Sequence, residues 1–486
     1  MTKSKSSEIK IAYDGVWKSI HPGLQHTLVG DLTLSNEFEA LVGFSGVGIY
    51  VPLAAKEWTI SPDFRVFKFV IDTSRRFSDG VSLSARHFKE SWEKSLKLDP
   101  KSSNNSLLDV LYKVEGFAEF ASAGTISGIR ATDDATLEIR FSTPFRMALE
   151  HLSGNRFSAY REVDGKFLGT GAYVIEELKP ELLQLTPNPF FPNPAKTPIL
   201  LSTIKAADTV KELVAGNLDV LAYAMGAAVP IDELEKQTKL STIVGQDALH
   251  RALYMNEQKG RLFARREFRQ ALQYLFFHYL KENPTFLGSP VFNSLDMQVY
   301  LPIQAGRIDT DEVERLIEIG KQYVPEFLAA AKLNPPLLIE PPETSVREIL
   351  KAVGVEVSPK SRSVDKATII DMIYKGDEAD LIPGSFGVAS GDPDGIYHKL
   401  GKSGAIASPM TNNHAVAELL EEGRKLIERN QLDPFYKKVS RKIIEEAPFV
   451  HLGFGKAIAI YRNDKIAVDG NVLRRNEGHL NIFEAR

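Results

Sequence analysis

The sequence predicts a protein of two or three domains that contains both strands and helices, and three observations lead there. At 486 residues the chain can bury a large core and exceeds what a single domain usually holds. Short strand-like runs and longer amphipathic helical runs both recur along it. Between them, Phe64–Trp92 (FRVFKFVIDTSRRFSDGVSLSARHFKESW) sets a strand, a tight turn and a capped helix in one fixed order.

Ile9–Tyr13 reads as a first strand, and Trp17–Gly23 as a turn around His21-Pro22. Asn36–Val42 reads as a short helix-like apolar segment leading into the loop Gly43-Phe44-Ser45-Gly46. Arg65–Ile71 alternates apolar and polar residues at period two, which predicts a half-buried strand. Phe77-Ser78-Asp79-Gly80 is turn chemistry, because Asp accepts local backbone bonds and Gly tolerates positive φ. Ser84 is placed to cap a helix whose Phe88, Trp92 and Leu96 share one face. Gly128–Phe141 predicts a hairpin turning at Asp133-Asp134, followed by a helix over Met147–Leu152. Phe263–Tyr274 is amphipathic, with Phe268, Leu272, Leu275 and Phe276 on one side. Ala415–Ile427 and Pro434–Glu446 predict two more helices, the second with Asp433 as N-cap and Pro434 at its first position. No internal repeat and no low-complexity run is present.

Composition narrows the function. A net charge of -4 argues against a nucleic-acid surface, which needs a basic stripe. The absence of cysteine excludes disulfides, thiolate metal sites and cysteine nucleophiles. No apolar run reaches the length of a membrane-spanning helix. The first residues, MTKSKSSEIKIAY, lack the apolar core of a signal peptide, and Thr2–Ser7 has the Lys/Ser-rich make-up of a flexible tether. The reading adopted is a chain whose export signal has been removed.

Several stretches carry a more specific wording. Pro52-Leu53-Ala54-Ala55 leads to Trp58, and Phe77-Ser78-Asp79-Gly80 leads to Trp92. Gly169-Thr170-Gly171-Ala172-Tyr173, Asn188-Pro189-Phe190-Phe191, Lys211–Val220, Tyr254-Met255-Asn256 and Ala447-Pro448-Phe449-Val450 follow in order. Each is weak alone; in this order and spacing the set resembles the family 5 (oligopeptide/dipeptide-type) solute-binding proteins of ABC transporters. The resemblance runs from about residue 9 to about residue 455. It implies a two-lobed periplasmic-binding-protein-like α/β fold of the class II, or cluster C, type with an extra inserted subdomain. Residues 8–42, 166–252 and 452–486 would form lobe I, 43–165 the inserted subdomain and 253–451 lobe II.

Catalytic readings find little support. Gly43–Gly48 fails as a nucleophile elbow because position 47 is Val where the motif needs Gly, which leaves Ser45 a near miss. Gly46-Val47-Gly48 lacks the third glycine of a dinucleotide fingerprint, and there is no phosphate-binding loop. The ten histidines form no metal motif; His21 and His26 sit in loop-like surroundings without neighbouring acids. Asp392-Pro393-Asp394-Gly395 reads as a turn rather than a paired-carboxylate or calcium site.

The resemblance puts the ligand-binding strand at Gly384–Tyr397. Under its register Ser385, Phe386, Gly387, Val388 and Ala389 face the ligand, with Ala389 standing where the family carries the Asp that holds a free α-amine. Ser385–Gly391 contains no acid at all. A buried ammonium without a carboxylate partner loses a charge-assisted bond and stays desolvated, at a cost of several kcal/mol. The expectation is therefore a ligand without a free α-amine, or an acid supplied from elsewhere. Thr27 and Leu28, near the family's strand-like contact, and Phe44 and Ser45 in the following loop complete the candidate ligand-binding set. The implied function is capture of a peptide-like or other small solute between two lobes and delivery to an ABC permease. The alternative is a ligand-sensing module on the same fold. No cofactor, metal, catalytic residue or nucleic acid is expected; the protein is expected as a monomer, periplasmic or membrane-anchored outside the cytoplasm.

Overall fold

The computed structural model describes residues 8–486 except 16, 18, 25–26, 47, 99–106, 226–228, 230, 235, 288–292, 342–345, 365–367, 370–371, 373–378, 389–390, 403–409, 411–413 and 469–479. The predicted tether Thr2–Ser7 and the site position Ala389 lie outside the described residues. The chain divides into two compact units: Met1–Met225, Val229–Gln246 and Ile458–Arg486 in the first, Gly226–Ala228 and Asp247–Ala457 in the second.

The first unit is built on β1 (Ile9–Tyr13), whose Ile11, Ala12 and Tyr13 are fully buried. A strand buried on both faces reads as continuous hydrophobicity rather than alternation, and IKIAY does from Ile11 onward, with Lys10 exposed before it. Helix α1 (Leu28–Leu34) follows, then the hairpin β2 (Val42–Gly46) and β3 (Ile49–Pro52). Residues 36–41 between them are turn and extended chain, not the helix-like segment expected, because their hydrogen bonds are drawn elsewhere. Asn36 and Glu37 accept backbone N–H groups from Tyr173 and Gly171. Phe44 and Ser45 accordingly lie in a strand rather than a loop.

A four-stranded antiparallel sheet comes next, ordered β4 (Ala55–Ile60), β5 (Val66–Ile71), β7 (Thr136–Arg140), β6 (Ile129–Ala131). The alternation read in the sequence faces Phe67, Phe69 and Ile71 inward. Against them packs α2 (Ala85–Leu98), with Phe88, Trp92 and Leu96 buried on one face. Gly80 has φ +84° and its N–H donates to Phe77 O at 2.8 Å, so the predicted turn forms and needs its glycine. Ser84 pairs its hydroxyl with His87 Nδ1 at 2.9 Å at the helix start. The hairpin turn is held by Asp133 Oδ1, which accepts from the N–H groups of Ala135 and Thr136.

The unit's larger sheet runs β8 (Tyr173–Lys179), β9 (Leu182–Pro187), β10 (Ile199–Thr203), β1, β11 (Val220–Met225). β1 is parallel to both neighbours, with Ile9 opposite Ile199 and Ile11 opposite Val220. Parallel neighbours need crossovers, and α3 (Thr209–Ala215), ended by Gly216 at φ +77°, is the one between β10 and β11. Ile466, Leu480 and Phe483 from the chain's end close the same core as Ile9 and Ile11.

The second unit centres on three strands, β12 (Leu240–Met255), β13 (Leu381–Val388) and β14 (Phe449–Arg462), of which β12 and β14 begin or end in the first unit. Helix α4 (Arg266–Glu282) buries Phe268, Leu272 and Phe276, as its periodicity predicts. The last long helix, α5 (Arg429–Glu446), begins five residues earlier than expected, so Pro434 lies inside it and Asp433 is not its cap. Asp433 Oδ1 instead accepts the Gly306 N–H at 3.0 Å, and Pro434, the sixth residue of the helix, forgoes the bond an N–H there would make to the Asn430 carbonyl. The preceding helix spans His414–Gly423, shorter than read.

Candidate ligand-binding site

β13 is the last strand in its sheet's order, paired antiparallel to β12 without a bulge. Its start is pinned from three sides. Asp380 accepts the Leu337 N–H at 2.8 Å and meets Arg261 Nη1 at 3.2 Å, while the Asn256 amide donates to Ala379 O at 2.9 Å. Beyond that anchor the register sets Ile382 opposite Tyr254, Gly384 opposite Ala252, Ser385 opposite Arg251 and Phe386 opposite His250.

Because side chains alternate across a strand, the two faces differ. One carries Ala252, Tyr254 and Ile382 into a buried cluster with Phe449 and Tyr436. On that face His250 is buried and stacks on His451, ring centroids 3.9 Å apart. The other carries Leu253, Met255 and Leu381 into the core around α4, then opens at Arg251 and Ser385, the serine exposed and the arginine half-buried. Burial pulls the Arg251 guanidinium below its ordinary value. Of the sequence-predicted residues, Ser385, Phe386, Gly387 and Val388 thus share one strand; the side chains of Phe386 and Val388 lie outside the described residues.

The acids just past the strand are occupied structurally. Asp392 caps a short turn by accepting the Asp394 N–H at 2.9 Å. Asp394 is buried and bonds Arg424 Nε and the Tyr436 hydroxyl, each at 3.1 Å. This is the turn the sequence predicts, with neither carboxylate presented as a reacting pair.

In the first unit Thr27 is the N-cap of α1, its Oγ1 accepting the Gly30 N–H at 3.1 Å. The strand-like contact expected at Thr27 and Leu28 is therefore a helix start, since a threonine three residues before a glycine N–H satisfies an orphan donor. Phe44 packs against Tyr50 with centroids 5.0 Å apart, across the β2–β3 hairpin. Ser45 sits in β2 and its side chain lies outside the described residues.

Two polar groups went unnoticed in the sequence. Glu37 is buried, its Oε2 accepts the Ile175 N–H at 3.0 Å, and burial pushes its carboxyl up to about 8. Two residues on, Glu39 takes Arg75 at 3.2 Å and the Thr170 hydroxyl at 3.0 Å. Together they tie residues 37–39 to the Gly169-Thr170-Gly171 segment. His21, read as a loop residue, is buried against Tyr160 and Phe167, and burial lowers it to about 4. Among the described residues no cluster of three His, Cys, Asp or Glu could hold a metal ion, and no helix is long and apolar enough to cross a membrane.

Residues 50–276 match the family model described as Bacterial extracellular solute-binding proteins, family 5 Middle. That match takes in a little under half of the chain. The chain is 25% identical over 202 residues to the periplasmic murein peptide-binding protein MppA of Escherichia coli K12, covering 38% of this chain and 37% of MppA. The solved MppA structure superposes over 99% of both chains with TM-score 0.80 at 18% identity. The probable deoxycholate-binding periplasmic protein YgiS of the same organism is 30% identical over 115 residues, covering 22% of this chain and 20% of YgiS. Helicobacter pylori DppA, solved with the peptide STSA, covers 99% of this chain and 98% of its own with TM-score 0.77 at 18% identity. The matched stretches span well under half the length of the curated relatives. The fold is the two-lobed periplasmic-binding-protein type, with mixed α/β sheets.

Proposed function

We propose that the chain is a family 5 solute-binding protein that captures a peptide-like or other small solute outside the cytoplasm and hands it to an ABC permease. The observation that carries the reading is β13, a terminal strand whose Ser385 is exposed beside its paired neighbour. A strand at the end of a sheet offers backbone donors and acceptors that an extended ligand can take up. The names of its relatives support the same reading: one binds murein peptide, one was solved with a tetrapeptide, and one is named for deoxycholate, a carboxylate without an amine.

Ser385, Phe386, Gly387, Val388 and Ala389 form the ligand strand in this proposal, with Thr27, Leu28, Phe44 and Ser45 as the first unit's contribution. Ligand binding would favour a closed state by its differential affinity, and that state would dock on the permease. The protein works as a monomer, periplasmic or membrane-anchored, without cofactor and with no chemistry of its own. The decisive experiment is native mass spectrometry of protein purified from its own host. A retained small molecule of defined mass supports capture; a chain that carries none and shifts its melting with no member of a peptide and organic-acid panel refutes it. The amine expectation is tested by free and N-acetylated tripeptides. Tight binding of the free form with loss on acetylation would sink it.

A further inference from the structure

We propose that a cavity beside His451 is a binding site for one structural water, which joins four segments of the second unit. The proposal goes beyond the solute-capture reading and does not depend on which solute is bound. The space open to the centre of a water molecule there is about 10 Å³, room for a single one. Gln273 of α4, Gln298, Ser440 of α5 and His451 of β14 bring their polar side chains to its wall. All four are buried, between 1% and 4% exposed. They come from positions as far apart in the chain as 273 and 451, so a molecule bonded to several of them cross-links the core.

His451 is the group that requires a partner. Stacking on His250 covers a face of its ring, yet neither ring nitrogen has a hydrogen-bond partner in the protein. The backbone of Met297 and Gly453 lies close enough to favour its protonated form, but outside hydrogen-bond reach. A neutral imidazole has one donor and one acceptor to satisfy, and a buried one left unmet is costly. Its neighbours on the cavity wall each have one function engaged. Gln298 Oε1 accepts the Ile308 N–H at 2.9 Å, and the Ser440 hydroxyl donates to Gly306 O. The Gln298 amide therefore keeps its N–H donors and the Ser440 oxygen its acceptor capacity. A water can accept from Gln298, donate to Ser440 and bond a His451 nitrogen, three bonds in all, the number a buried water ordinarily makes. No Asp, Glu, Lys or Arg lines the cavity. An ion would lose its hydration there without a countercharge, so the site takes a neutral molecule.

A crystal structure of the intact protein, at a resolution that shows ordered solvent, tests the site directly. One density peak is expected within about 3.2 Å of a His451 ring nitrogen and of Gln298 or Ser440. A cavity without such a peak overturns the proposal. So does a His451 ring turned to bond a protein group, or a peak that refines as an ion. Oxygen-17 magnetic relaxation dispersion then counts the long-lived waters in solution. His451→Phe keeps a flat ring and removes both nitrogens, so it should lose one long-lived water relative to the unmodified protein. An unchanged count overturns the assignment to His451. Where that variant fails to fold, the crystal structure of the unmodified protein still decides, and neither measurement involves a captured solute.

Discussion

His250 and His451 lie ring on ring in the interior of the second unit, centroids 3.9 Å apart and planes 9° from parallel. Phe449 and Phe454 close on His250 edge-to-face at 5.3 and 5.8 Å, and both imidazoles are almost wholly buried. Burial lowers His451 to about 3 and takes His250 well below its ordinary value, with each further disfavoured by a neighbouring positive charge, His451 or Lys399 for His250 and Arg307 for His451.

This pair makes the fold sensitive to acid. A histidine lowered in the folded state leaves the unfolded chain binding more protons, so stability rises with pH. The contribution is complete above about pH 6.5 and is lost as the pH falls toward 3. Between pH 7 and pH 5 the loss from His451 is about 2 kcal/mol. Urea denaturation at the two pH values checks it: His451→Gln should shrink the pH dependence by about that amount, and an unchanged slope would count against the stack as its source.

Glu37 acts in the opposite direction. Its carboxyl is raised to about 8 by burial, so the folded state holds the proton more tightly than the unfolded chain. Stability from that group is complete below about pH 4.5 and fades as the pH climbs through 8. Glu37→Gln keeps a carbonyl for the Ile175 N–H and removes the titration. It should raise stability at pH 8 on the order of 3 kcal/mol while changing little at pH 4. Thermal melting of both proteins at the two pH values decides the matter.

Gly169 tests the close approach beside it. A Cβ built there would sit 1.9 Å from the Glu37 carbonyl oxygen, a backbone atom with no freedom to rotate away. Gly169→Ala should therefore cost about 3 kcal/mol. Gly165→Ala, where nothing lies within 4 Å but φ is +76°, should cost only about 1 kcal/mol. Chemical denaturation of the two variants side by side separates clash from backbone strain.

Trp92 is 0% exposed and its indole N–H donates to Phe157 O at 2.9 Å. Trp92→Phe leaves that carbonyl unpaired and opens a gap, for an expected loss of about 2 kcal/mol; Trp92→Ala should cost about 4 kcal/mol. Equilibrium unfolding measures both, and a loss below 1 kcal/mol for the alanine variant would contradict the packing described.

Local pattern made the scaffold readable before any coordinates. IKIAY, the alternation of Arg65–Ile71, the Phe77–Gly80 turn and the Phe88/Trp92/Leu96 face are short-range signals, and each becomes the element it predicts. Where distant partners decide, reading failed. Residues 36–41 look helical, yet their carbonyls are claimed by Gly171 and Tyr173, more than a hundred positions away. The helix that Thr27 opens was missed for a local reason, since an N-cap is itself extended. Asp433-Pro434 mimics a helix start, and the true start at Arg429 carries no such mark. In the candidate site the strand Gly384–Val388 was visible through its wording. The residues it pairs with on β12 were not, because the register joins positions more than 130 apart.

Residues more than 450 positions beyond β1 complete the first unit's core. Leu480 and Phe483 join Ile9 and Ile11 in one cluster, while the second unit, Asp247–Ala457, is spelled out between them. Contacts of such sequence separation are slow to form, because the loop they close must first be paid for in entropy. During synthesis the cluster around β1 must wait more than 450 residues for its last members. The second unit, spelled out without interruption from Asp247 onward, has no such delay, and a growing chain would be expected to gain protease resistance there first.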